Sequence, residues 1–450
     1  MEPKFKRLLS LILLVVLSLG LSSCAEVSKT IFPERAQIKR ERKIRELKKQ
    51  ESPMQTQAMP EPLIDPSKVV KLRRDTVNLA LVGDVLIHIP IINAAKQADG
   101  SYDFAYSYRY IEPEIQKLDY AAFNMEGTLA GEPYEGYPIF SAPDILAPTL
   151  KKVGFDLAFA ANNHCMDRGL DGLKMTAKKL KAEGFDLVGI REAAADDKVV
   201  VKELNNLKLG FFNFTYETER IDGLRSLNGI PVPEEGEDLL DSFSLERSPE
   251  DLMSRDLERM VERIKELKAA NVDLIVALLH WGDEYHTTAN ATQVEIANFL
   301  AAQGVDLIVG AGPHVAQEVK WLERPDGKRT LCYYSLGNFI SNQQFDTADN
   351  GGYAEDGLVA LVRFERGVKG PAKITKAGYL PLYCFKIHPE NDQTFATVLP
   401  VMQVLEDPAK FQFDGGEELL ERSLQRTREV MSQNSEGIQL FGSVDDFLRD

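Results

Sequence analysis

The chain has 450 residues, with 69 Asp+Glu against 53 Lys+Arg and a formal net charge of −16. That balance argues against non-specific nucleic-acid binding, and a polyanionic partner would have to meet metal ions or a local basic patch. Four cysteines are too few for a disulfide framework, and the chain is long enough to bury a large core without one.

Lys4, Lys6 and Arg7 precede an apolar run from Leu8 to Leu19, which ends in Gly20, Ser22, Ser23 and Cys24. That order of charged, apolar and small residues is an export signal. The run is shorter than the ~20 apolar residues a membrane-spanning helix needs. Leu21-Ser22-Ser23-Cys24 is similar to the bacterial lipobox. This implies a signal peptide over 1–23, a lipidated Cys24 and an extracytoplasmic protein anchored to a membrane; the alternative is a soluble exported protein with an incidental cysteine. Residues 24–75 read as a tether, first basic (Arg35, Lys39, Arg40, Arg42, Lys43, Arg45) and then marked by Pro53, Pro60, Pro62 and Pro66. The basic part is either a charged spacer or a short solvated helix drawn to anionic lipid heads.

The folded domain is expected over 76–390, with a C-terminal extension over 391–450 packed on it. Short β-branched or aromatic runs alternate with helical stretches, which predicts a largely parallel α/β sheet whose later strands can pair antiparallel. The strands fall at Val77–Val82, Tyr120–Asn124, Leu157–Ala161, Leu187–Ile190, Leu209–Phe214, Leu274–Leu279, Leu307–Val309, Leu331–Tyr334 and Leu358–Phe364. The clearest amphipathic helices are Leu170–Ala182 and Met253–Ala269, with a shorter one at Ile296–Gln303. Between Glu217 and Asp251 the sequence is polar and rich in Gly and Pro, and reads as a long loop able to act as a lid.

Six of these strands end in metal-capable residues. The ends are Gly83-Asp84, Asn124-x-Glu126, Asn162-Asn163-His164 with Asp167, His280-Trp281-Gly282-Asp283-Glu284, Gly310-x-x-Pro313-His314 and Ser335-Leu336-Gly337-Asn338-Phe339. Ligand crevices in open α/β sheets lie at the carboxyl ends of the strands, so the six ends can converge. Carboxylate, amide and imidazole are donors suited to Mn, Fe or Zn. No Gly-x-Ser-x-Gly elbow, phosphate-binding Gly-Lys-Ser/Thr loop or His-Glu-x-x-His zinc helix is present, so other hydrolase readings lack their signatures.

In order, these strings resemble the CapA-type poly-γ-glutamate capsule-biosynthesis family over roughly residues 76–365. That family is similar in fold to calcineurin-like metallophosphoesterases, which implies a four-layer α/β/β/α sandwich. The resemblance implies one or two divalent ions, with Asp84 and His314 on one, Asn163 and His280 on a second, and Glu126 between them. It also implies His164 as an acid oriented by Asp167, with Asn162, Trp281, Glu284 and Asn338 contacting substrate or supporting the ligands. Two phosphoesterase histidines are missing: Leu86 and Gly312 stand in their places, and water, His88 or Glu284 are the candidates to fill in. The expected function is synthesis or export of poly-γ-glutamate or a related anionic polymer, with that polymer or other capsule-synthesis proteins as partners. The alternatives are an extracytoplasmic metal-dependent phosphoesterase and a non-catalytic polymer-binding scaffold.

Overall fold

Strand β1 (Asp75–Leu86) is apolar on both faces: Val77, Leu79 and Leu81 enter one core, Ala80 and Val82 another. A strand of that kind has to be covered on both sides. The computed structural model describes residues 75–246, 252–344, 351–368, 370–387, 395–413 and 416–449. The expected signal, Cys24, nearly all of the tether and His388 lie outside the described residues.

β2 (Tyr120–Glu126), β3 (Leu157–Phe159) and β4 (Asp186–Val188) follow β1 in parallel, with α1 (Leu146–Val153) and α2 (Gly169–Ala182) between them. α1 turns Leu146, Leu150 and Val153 inward and α2 turns Leu173, Ala177 and Leu180 inward, covering one face of this sheet. A second sheet begins with the hairpin β5 (Val200–Leu204) and β6 (Leu207–Tyr216). Next comes an insert with β7 (Thr218–Ile221), β8 (Leu224–Leu227), β9 (Ile230–Pro231) and β10 (Ser242–Phe243). α3 (Leu252–Ala269), β11 (Leu274–His280), α4 (Ala291–Gln303) and β12 (Leu307–Ala311) continue the α/β alternation. The second sheet is completed by β13 (Val319–Glu323) and β14 (Arg329–Tyr333), in the order β10-β6-β11-β12-β14-β13.

The chain then returns to the first sheet. β15 (Asn338–Ile340) lies parallel to the end of β1, and β16 (Asp356–Arg366) pairs antiparallel along its length. β17 (Lys373–Ile387) and β18 (Phe395–Pro400) extend that edge, and β19 (Gln439–Leu440) pairs with β17 after α5 (Glu417–Met431). The boundary expected at 390 thus falls between two hydrogen-bonded strands of one sheet.

Residue alternation fixes the layering. On β6, Leu209 and Phe211 face the first sheet while Phe212 and Phe214 face α3 and α4; on β11, Val276 and Leu278 face inward and Ala277 and Leu279 outward. The order is helices, sheet, sheet, helices, the four-layer α/β/β/α sandwich the resemblance implied. All three cysteines of the described residues, Cys165, Cys332 and Cys384, are buried and free.

Candidate metal centre

The strand register brings the expected ends together. Asp84 on β1 stands beside Asn124 on β2 and Asn338 on β15, and Leu86 stands beside Glu126. A bulge between Val82 and Asp84 turns the Asp84 carboxylate into the site. Gly83 is required there, because a Cβ would lie 1.8 Å from the Gly337 carbonyl oxygen. That carbonyl accepts from the Asp84 amide at 3.1 Å.

Asp84, Glu126 and His314 are buried with donor atoms within 4.8 Å of one another. His314 Nδ1 lies 3.0 Å from Asp84 Oδ2 and 3.2 Å from Asn338 Oδ1, two acceptors that fix the proton on Nδ1. Nε2 is thereby left toward Glu126 Oε1, at 3.7 Å. Asn124 Nδ2 donates to Asp84 Oδ1 at 2.7 Å and lies 3.2 Å from His280 Nδ1. His280 Nε2 is 3.8 Å from Glu126 Oε1. His314 itself has φ 60, a backbone conformation that non-glycine residues rarely adopt and that collects at functional sites.

The electrostatics centre on Glu126. Burial, reinforced by the Asp84 charge, holds its pKa well above the usual carboxylate range. Burial also works to raise Asp84, but the hydrogen bond and charge of His314 outweigh it and hold this carboxyl below its ordinary value. Burial opposes the charged form of His314, yet Glu126 and Asp84 push it up to about 10. His280 is pushed down to about 3 by burial.

Both Glu126 carboxylate oxygens and Asn163 Oδ1 are buried with no hydrogen-bond partner. Buried oxygens are almost always satisfied, so hard donors left bare beside two imidazoles fit a divalent cation. Asp84, Glu126 and His314 would hold one ion, with His280 and Asn163 available to a second.

The remaining expected residues divide. His164 Nδ1 meets Asp167 Oδ2 at 2.8 Å, and the same oxygen accepts from the Phe140 amide. Asn162 is fully buried, donating to Met125 O and accepting from the His164 amide, so it positions the loop that carries His164. Asn338 supports His314 and donates to Gln343 and the Ala354 carbonyl. Glu284 is exposed, and its charge acts on Glu126 and His314.

Trp281 does not wall the site. It follows His280 and so points to the opposite face, where its Nε1 donates to the Tyr334 carbonyl in the outer core. Neither His88 nor Glu284 joins the cluster. At Gly312 a Cβ would come within 3.1 Å of His280 Nε2 at φ 107, so the missing imidazole has no room there.

Sequence reasoning missed the aromatic collar. Tyr216 stacks on His280 and Tyr285 tilts against His314, each with ring centroids at 6.1 Å, while Phe140 meets His164 edge-on at 4.7 Å. It also missed Asn228, whose Nδ2 lies 3.3 Å from His164 Nδ1. Tyr216 ends β6, so the strand-end rule would have found it; the Asn228-Gly229 pair is a tight-turn signal.

The family model of "Bacterial capsule synthesis protein PGA_cap" matches residues 78–343. "Capsule biosynthesis protein CapA" of Bacillus anthracis is 28% identical over 276 residues, 60% of this chain and 61% of the relative. "PGA biosynthesis protein CapA" of Bacillus subtilis (strain 168) is 27% identical over 287 residues, 61% of this chain and 66% of the relative. The chain thus spans less than two thirds of either relative's length. The structure of Haemophilus influenzae NAD nucleotidase (NadN) aligns over 83% of this chain and 66% of that one, at 12% identity and a TM-score of 0.42, too loosely to carry an argument. With more than half its length matched and the family's strand-end motifs gathered at one site, the chain belongs to the bacterial capsule synthesis family PGA_cap.

Proposed function

We propose that this protein takes part in assembling or exporting an anionic capsule polymer of the poly-γ-glutamate type, using a divalent-metal site and held outside the cytoplasm by a lipidated Cys24. The observation that carries the metal reading is Glu126: a buried carboxylate with two bare oxygens beside Asp84, His280 and His314. When bound, an ion supplies Lewis acidity and charge neutralisation at a reacting oxygen. The chain's own residues then divide the labour. Asp84 and Asn338 orient His314 through Nδ1, as outer partners of a metal-binding imidazole do. Asp167 fixes the His164 ring, which can pass a proton to a leaving oxygen. Tyr216, Tyr285 and Phe140 limit water around the imidazoles.

The test is complementation. Cells lacking the gene and supplied with His314→Ala or Asp84→Ala chain are expected to lose most surface polymer at normal protein level; full polymer in both variants contradicts the reading. A second reading, metal-dependent phosphoester hydrolysis, is favoured by the His164–Asp167 pair, and its mark is turnover of a simple aryl phosphate.

A further inference from the structure

A groove of about 660 Å³ lies where β11, β12 and β17 begin. Its floor residue Leu274 opens the strand that ends in His280, which puts the groove roughly 20 Å from the metal centre at ~3.3 Å per residue. In a chain of net charge −16 this groove is basic: Lys268, Arg324, Lys328, Arg329, Lys373 and Lys376 line it, against Asp273, Asp306 and Glu436.

Two of those acids are already engaged. Asp273 pairs with Arg366 at 2.7 Å and Asp306 with Arg324 at 2.9 Å. Among the described residues not every cation has a carboxylate partner. Lys268 donates to the Gln303 carbonyl, and the exposed Arg329 lies 4.7 Å over the Trp321 ring, while Lys328 shares Asp326 with Arg324, at 4.0 and 3.0 Å. Lys373 is exposed and forms no ion pair among the described residues.

The distribution points to an extended polyanion, and that its charges are carboxylates rests on the proposed function. A compact phosphate needs donors converging on one point. Here the cations stand on three separate segments, the end of α3, the β13–β14 hairpin and the start of β17. Between them lies an apolar floor of Leu274, Ile275, Ile374 and Trp321. Such a surface suits an extended chain whose charges are spaced along an apolar backbone. We propose that this groove binds a flexible polycarboxylate, its backbone over Trp321 and its carboxylates on Lys268, Arg329 and Lys373. The assignment is independent of the metal centre.

Two tryptophans make the test local: Trp281 is buried in the outer core, Trp321 half-buried in the groove. The full chain in detergent, titrated with poly-L-glutamate, is expected to show a saturable change in tryptophan emission that weakens steeply with salt. Trp321→Phe should remove the signal while leaving affinity, read by anisotropy of labelled polymer, nearly unchanged. The combined Lys328→Glu, Arg329→Glu, Lys373→Glu variant should weaken affinity at least tenfold, and Lys373→Ala alone about threefold; all three positions are exposed, so the fold should survive. Asp84→Ala should bind polymer normally. Unchanged affinity in the triple variant would place the polymer on the basic N-terminal segment and overturn the proposal. Equal affinity for oligo-deoxythymidylate would overturn the polycarboxylate assignment.

Discussion

Glu126 is buried beside the Asp84 charge, both of which oppose its ionised form, and neither of its oxygens has a hydrogen-bond partner by geometry. Without a cation, folding must bury this carboxyl either charged or with a proton taken up, and both cost stability. Glu126→Gln is therefore expected to stabilise the metal-stripped domain by about 1–2 kcal/mol, a few degrees in Tm, and to abolish the further rise that added Mn²⁺ or Zn²⁺ gives the parent; calorimetry with and without chelator checks both signs. His88 is a second case. Burial pushes its pKa down to about 4 from 6.5, and the Asn342 amide donates to its Nδ1. The neutral ring is the form that fits, so its contribution is complete above pH 6.5 and is lost as pH falls through about 4, a difference of about 3 kcal/mol. His88→Gln should flatten this acid limb in denaturant titrations at stepped pH. At this scale the sequence was readable where chemistry is strict: hard donors at strand ends found Asp84, Glu126 and His314. The resemblance misled at Trp281, which it set among the substrate or ligand-supporting contacts although alternation sends the residue after His280 to the opposite face. Tyr216 carries no metal chemistry, so only its place at the end of β6 could have revealed it.

The expected strands and helices coincide closely with the observed ones because both sheets are buried on two faces and their apolar runs are unbroken. The insert after β6 is different. Instead of a loop, residues 218–231 form the small sheet β7-β8-β9, and Leu227, Val232, Leu239 and Leu240 enter the core beneath the first sheet's helices. Its strands are two to four residues long, too short to show alternation in a polar sequence. What holds it is a buried ion network. Asp241 binds Arg191 at 2.6 Å and Arg263 at 3.3 Å. Arg225 donates to Ser242 Oγ, which in turn donates to Glu217. Asp241→Ala leaves the buried Arg191 guanidinium without its carboxylate and takes one of two from the buried Arg263, whose other partner is the exposed Glu266, and is expected to cost about 3–5 kcal/mol in urea unfolding. It should also free Asn228 from His164, readable as faster hydrogen exchange across β8 and β9.

The whole domain separates two ends. Strand carboxyl ends gather the metal donors, and strand starts form the basic groove; the domain's first strand enters at Asp75, which shares Arg366 with the groove residue Asp273. The four layers were legible as a resemblance and are dictated by two-faced strands such as β1, β6 and β11. The C-terminal part reads as strand-like and helical pieces, but its pairing was not legible: β17 and β18 close the first sheet's edge through pairings distant in sequence, which no local pattern reports. The central claim is that Asp84, Glu126 and His314 meet around a cation. Elemental analysis of purified protein, with anomalous diffraction at the absorption edge of the metal found, tests it directly. A peak bounded by these three side chains, with metal lost in both Asp84→Ala and His314→Ala, is the predicted result; metal-free protein that takes up no Mn²⁺, Fe²⁺ or Zn²⁺, or unchanged metal content in both variants, would contradict it.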